Sequence, residues 1–309
     1  MRTPPAESLV QGKTIVVTGA NAGLGFACAR GLVADGAHVI MACRSEDRAR
    51  AAMGTIDRYA RLGGRTTFAP LDLASLESVE RFVATLHGDF EGIDGLCNNA
   101  GIMAIPRALT VDGFERQFGI NHLGHFALTL RLMPLLRARA GARVVTVTSL
   151  MHHRGVIRLD DLQGAERYSR WGAYAQSKLA NLLFALELDR RCAQQSIDLT
   201  SVAAHPGYAA TDLVSPRASE GGPTWLSLIG GIGNSIAAQS ATLGAQPILR
   251  GFRDASTRGG DFFGPDGWGE FAGQPTIARP SRRARDPEIA ARLWERSEAL
   301  TGLSFRGTA

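Results

Sequence analysis

Three polar side chains in the middle of this 309-residue chain have the types and spacing needed to move a proton to or from an oxygen atom. In "AYAQSKLANLLFALELDRR", Tyr174 and Lys178 stand four residues apart among leucines at helical spacing, so both side chains share one face. A phenol ionises only near pH ~10, so proton exchange at neutral pH needs a neighbouring cation that favours the phenolate. Lys178 can be that cation, although the pair alone equally suits an aromatic packed beside a solvated lysine. Ser149 changes the balance. It ends the β-branched run "RVVTVTS", which puts its hydroxyl at a strand end, within reach of a substrate oxygen.

A second constellation lies near the N-terminus. "TIVVTGANAGLG", residues 14 to 25, runs from a strand pattern into a turn with Gly19, Gly23 and Gly25. Glycines so spaced permit a tight turn, close backbone approach and close helix packing, as a bound pyrophosphate requires. The helix that follows would aim its free N–H groups at the phosphates. A purely structural strand-to-helix turn is the alternative. The next strand, "HVIMACRSEDR", carries Arg44 at its end and no acid before Glu46. An acid there would bind a ribose 2′-OH, whereas arginine forms a charge-assisted fork with a 2′-phosphate, so NADP(H) is expected in preference to NAD(H).

These residues must be held by alternating strands and helices. Strand patterns occur at 13–19, 37–43, 65–73, 93–101, 142–149, 197–207 and 260–265, with amphipathic stretches of helical length between them. The expectation is α/β: one Rossmann-type, doubly wound domain over 10–309, with a mostly seven-stranded parallel sheet flanked by helices. Residues 208–258, rich in glycine, serine and proline, read as a substrate-lid insertion at the carboxyl edge. Within them, 223–238 suggests an apolar flap or a contact surface. A helix is expected over 286–303.

Composition limits the alternatives. With 45% hydrophobic and 20% charged residues the chain can bury a large core. A net charge of +5 suits a phosphate-bearing ligand, and no basic stripe interleaved with aromatics points to nucleic acid. The densest basic run, "RPSRRAR" at 279–285, reads as a solvated loop. Cys28, Cys43, Cys97 and Cys192 show no metal-ligand spacing, so no metal and a reducing compartment are expected. Neither a signal peptide nor an apolar run of about 18 residues is evident, so a cytoplasmic protein without a membrane span is expected.

Taken together, the motifs resemble the short-chain dehydrogenase/reductase family along nearly the whole chain. "TGANAGLG" (18–25), "LDLAS" with Asp72, "NNAG" (98–101), "GINHLGHF" with Asn121, Ser149, "YAQSK" and Pro206-Gly207 followed by Thr211 occur in the family's order. The resemblance implies that Tyr174 is the proton donor or acceptor and that Lys178 holds the nicotinamide ribose and lowers the tyrosine pKa. Ser149 would orient the substrate oxygen, and Asn121 would hold a water in a proton relay. Gly19, Asn21, Gly23, Leu24, Gly25, Arg44, Asp72, Leu73, Asn99, Ala100 and Gly101 would bind the cofactor, with Asn98 to Gly101 on the adenosine side. The backbone after Pro206, through Gly207 and Thr211, would grip the nicotinamide amide.

"ACRS", "SLMHHRG" and "LWERSEALTG" further resemble the retinol-dehydrogenase and protochlorophyllide-reductase branch. The implied reaction is hydride transfer between NADP(H) and a carbonyl or alcohol, and the aromatic and aliphatic flap points to an apolar ketone, aldehyde or secondary alcohol as substrate. His152 and His153 would be loop or substrate-wall residues rather than acid/base catalysts. A homo-oligomer through the helices of Asn121 and Tyr174 is implied, unless the C-terminal helix covers one of those faces. A non-catalytic NADP sensor would need the glycine turn without Tyr174, Lys178, Ser149 and Asn121 together. A carbon–carbon double-bond reductase would share the tyrosine and lysine.

Overall fold

β-Branched and apolar residues make up most of the central strands of the sheet, which are buried on both faces. The computed structural model describes residues 8–207 and 241–305. Its strands are β1 (Thr14–Thr18), β2 (His38–Cys43), β3 (Arg65–Pro70), β4 (Gly95–Asn98), β5 (Ala142–Val147), β6 (Leu199–Ala204), β7 (Phe262–Pro265) and β8 (Pro275–Ile277). They form one sheet in the order β3-β2-β1-β4-β5-β6-β7-β8. The first seven run parallel, and β8 pairs antiparallel to β7. Chain order reverses between β1 and β4, so a crevice opens outside their carboxyl ends, where ligands bind in doubly wound sheets.

The helices are α1 (Gly23–Ala34), α2 (Glu46–Ile56), α3 (Leu76–Asp89), the short α4 (Arg116–Phe118), α5 (Gly124–Arg137), α6 (Arg170–Gln194), α7 (Gln246–Arg253) and α8 (Pro287–Thr301). Leu32 and Val33 of α1, Ile56 of α2 and Ile248, Leu249 and Phe252 of α7 share one core with Val17 and Met41. On the other face, Phe82 and Leu86 of α3, Phe126 and Leu130 of α5, Phe184 of α6 and Trp294 of α8 pack with Val16, Leu96 and Val144. Among the described residues no helix is long and apolar enough to cross a membrane.

Two expectations need correction. The stretch 208–258 is not a lid throughout: α7, within it, lies under the sheet, and Gly251 admits it closely, since a Cβ there would stand 2.9 Å from a Val145 methyl. The remaining flap residues, 208–240, lie outside the described residues. The run 279–285 is not simply solvated either. Ala284 is buried, and Arg283 donates to the Gly155 carbonyl at 2.9 Å, so this segment is docked beside Ser149.

Candidate active site

The glycine turn is built to receive an anion. Gly19 and Gly23 have φ of +65° and +54°, the left-handed region that glycine enters at little cost. A Cβ at Gly25 would lie 2.3 Å from the Gly19 carbonyl and 2.5 Å from Asn99 Nδ2, so only glycine lets α1 start this close to β1. A Cβ at Gly23 would meet nothing within 4 Å, which shows that the turn opens outward. Ala22 caps α1 without a side-chain acceptor and the first helical turn holds no acid. The N-terminal N–H groups and positive dipole end are thus left for a phosphate. These features fit a dinucleotide's pyrophosphate.

The turn is clamped from behind by Thr18. Its hydroxyl oxygen accepts the N–H groups of Asn99 and Ala100, both at 2.9 Å, while Asn99 Nδ2 returns to the Thr18 carbonyl at 2.7 Å. Asn21 and Ala20 direct backbone N–H groups at the Cys43 sulfur, and burial raises that thiol to about 11. Arg44 follows at the surface end of β2. Asp72 closes a local turn, accepting from Ala74 N at 3.0 Å, and Leu73 is buried against α5. Pro206 and Leu24 come together around Gly244, where a Cβ would lie 3.1 Å from Pro206 Cβ and 2.9 Å from a Leu24 methyl. Leu24, from the start of α1, and Pro206, from the turn after β6, therefore come together at the carboxyl edge of the sheet. Thr211 lies outside the described residues.

Tyr174, Lys178 and Ser149 converge at the end of β5. Ser169 caps α6 by accepting Gly172 N–H, and the helix then places Tyr174 and Lys178 on its buried face. Lys178 Nζ donates to the Val147 carbonyl at 3.2 Å and lies 5.8 Å from the Tyr174 ring centre. Burial pulls the Lys178 ammonium down to about 8. Burial pushes the Tyr174 phenol up, and a hydrogen bond with Ser149 opposes that shift. Ser149 also caps the turn Leu150–His153. A substrate oxygen between Ser149 and Tyr174 would meet two hydroxyls, one of them backed by a cation.

Asn121 occupies a π-turn, Gly119–Leu123, of the kind often found at functional sites. Its amide exchanges bonds with both backbone groups of Ile102, each at 2.9 Å, and donates to Ser177 Oγ at 2.9 Å. The side chain thus ties the "NNAG" exit to α6, while α5 engages the Asn121 backbone carbonyl. His125 Nδ1 donates to that carbonyl at 2.9 Å, and its Nε2 lies 2.9 Å from Thr18 Oγ1. Burial lowers His125 to about 4, so the ring is neutral at pH 7 and Nε2 accepts from the threonine.

His152 is fully buried, with Nδ1 donating to the Ser149 carbonyl at 2.8 Å and Nε2 accepting from Ser281 N at 3.3 Å. It supports the serine from behind and is not a substrate wall. His153 packs on it, ring centres 4.0 Å apart. Sequence reasoning did not single out Thr18, His125 or Gln117, although the first two lie inside quoted motifs. Gln117 is wholly buried, accepting from Ala104 N and donating to Tyr168 Oη and the Arg170 carbonyl. Only its place before the π-turn marks it in the sequence.

Comparison with known proteins agrees with this geometry. The short chain dehydrogenase family profile matches residues 13–221. Human retinol dehydrogenase 13 is 40% identical over 97% of this chain and 87% of its own. Mouse polyprenol dehydrogenase is 38% identical over the same shares of the two chains. A crystal structure of an uncharacterized protein from Mycobacterium Paratuberculosis superimposes with a TM-score of 0.79 at 42% identity, covering 97% of each chain. With the family profile spanning its glycine turn, Ser149, Tyr174 and Lys178, this chain belongs to the short chain dehydrogenase family and is an oxidoreductase acting on CH–OH and C=O groups.

Proposed function

We propose that the protein transfers hydride between NADP(H) and the carbonyl or alcohol of an apolar small molecule, with Tyr174 as acid/base. The observation that carries this reading is the meeting of Ser149, Tyr174 and Lys178 beside a glycine cradle open to an anion. When bound, the dinucleotide supplies or accepts the hydride. Gly19 to Gly25 hold the pyrophosphate, and Arg44 holds the 2′-phosphate. Glu46, the next acid in the chain, pairs with Arg50 at 2.7 Å, and Arg44 is exposed at the end of β2. During reduction, the Tyr174 hydroxyl gives its proton to the substrate oxygen while Ser149 donates a hydrogen bond to the charge developing there. Lys178 stabilises the resulting phenolate. Support for an apolar substrate comes from relatives named for retinol and polyprenol.

Calorimetric titration with NADPH and NADH, followed by turnover of retinaldehyde, tests the reading. The wild type is expected to prefer NADPH, and Arg44→Ala to lose that preference by about tenfold or more, the loss of one charge-assisted contact. Tyr174→Phe should keep NADPH affinity and lose turnover by at least about 10²-fold. Equal affinity for both dinucleotides would overturn the Arg44 assignment, and an active Tyr174→Phe would overturn the acid/base assignment.

A further inference from the structure

Behind the Pro206-Gly207 turn stands a buried histidine whose two ring nitrogens are both committed. His205 has no exposed surface, and Gly207 N–H donates to its Nδ1 at 3.2 Å. Nδ1 must therefore present a lone pair. Nε2 then carries the hydrogen and donates it to Glu270 Oε2 at 2.9 Å. The ring fits only because residue 264 is glycine, where a Cβ would fall 2.1 Å from Nε2. Phe262 packs on the ring at 5.2 Å between centres.

Glu270 reaches this position at a conformational cost. Its φ is +58°, following Gly269 at +62°. A left-handed residue other than glycine is strained and persists where surrounding contacts dictate it, often at functional sites. Here the contacts are the bond to His205 and the Arg279 N–H on Oε1 at 3.4 Å. The same segment touches the turn a second time. Gly207, with φ of +71°, presses so closely on it that a Cβ would lie 2.3 Å from the Phe271 carbonyl. Residues 270 and 271 thus hold Gly207 at two points, one through the His205 ring and one directly.

We propose that Glu270 and His205 are positioning residues that preset the Pro206-Gly207 backbone for the nicotinamide end of the cofactor. The inference rests on the proposed NADP(H) function and assigns the pair a task distinct from that of the glycine turn, which holds the pyrophosphate. A turn fixed before binding spares the ordering cost at the moment of binding and holds the reacting ring in one orientation.

The test separates the two ends of the ligand. NADPH and adenosine 2′,5′-bisphosphate, which lacks the nicotinamide half, are titrated into the wild type, Glu270→Gly and Glu270→Gln, with the emission of bound NADPH recorded. Glu270→Gly relieves the left-handed backbone while removing the carboxylate, so it is expected to fold. It should bind the bisphosphate within about twofold of the wild type, bind NADPH about tenfold more weakly, and lose the wild-type nicotinamide emission signature. Glu270→Gln keeps an acceptor for Nε2–H and should restore most of the NADPH affinity. Wild-type behaviour of Glu270→Gly toward both ligands would overturn the proposal, as would equal weakening toward both, which marks a general structural role. If the wild type itself binds neither ligand, the NADP(H) reading fails first and the proposal falls with it.

Discussion

Lys178 carries its charge into a place that penalises charge. Its Nζ donates to the Val147 carbonyl, and burial brings it to about 8, against about 10.4 for a free lysine. Between these values the unfolded chain binds the proton and the folded chain does not, so this group's contribution to stability rises with pH across that window. Activity runs the other way. Below about 8 Lys178 is an ammonium that can stabilise the Tyr174 phenolate, and above it the charge is lost while the phenol, pushed up by its own burial, still holds its proton. The expected outcome is a fall in kcat/KM for carbonyl reduction above pH 8, by about tenfold per unit, since this ratio reports groups of the free enzyme. Lys178→Arg should be slower because the guanidinium has a different shape, yet show no such alkaline limb, because arginine keeps its charge. A wild-type profile flat to pH 10, or the same limb in Lys178→Arg, would assign the ionisation elsewhere.

At the scale of elements, the site depends on how closely α1 approaches the strands. Gly25→Ala would drive a methyl into the Gly19 carbonyl and Asn99 Nδ2, neither of which is the loose end of a flexible side chain, since Asn99 is bound to Thr18. It should destabilise the fold by roughly 1–3 kcal/mol, as overpacking does, and weaken NADPH binding together with it. Thermal unfolding checks the first and calorimetry the second; an unchanged Tm would mean that α1 shifts freely, and that the cradle is not set by this contact. This glycine spacing was legible in the sequence, as were seven strands, because β-branched runs bounded by turns leave a local signature. β8, three residues long and paired only at the sheet edge, leaves none. α7 was hidden for a different reason: "QPILRGFR" sits in a glycine- and proline-rich stretch, and its helical form is decided by burial of Ile248, Leu249 and Phe252 under the sheet. Tyr174, Lys178 and Ser149 were readable from spacing, whereas His205 and Glu270 meet across 65 residues through a left-handed turn that no periodicity reveals.

For the whole molecule, α8 decides which surfaces remain for another copy. Trp294 is 2% exposed, edge-on to Phe126 of α5 at 5.0 Å and stacked on Phe184 of α6 at 5.6 Å, with the Arg191 guanidinium 4.6 Å over its ring. His122, in the π-turn that leads into α5, and Ser297 of α8 share a buried hydrogen bond of 2.9 Å. The helices through which the family resemblance would build an oligomer are therefore occupied, over this patch, by the chain's own C-terminal helix. A second copy could use the patch only by displacing a tryptophan whose truncation costs about 3–5 kcal/mol in a typical core. Light scattering at micromolar concentration is expected to give the mass of one chain, 32.9 kDa. Trp294→Ala should lower Tm by roughly 6 °C or more and uncover the apolar faces of α5 and α6, so that self-association appears in the variant alone. A wild-type dimer that survives dilution would show that association uses a surface α8 does not cover, and would separate the oligomeric state from the packing of Trp294.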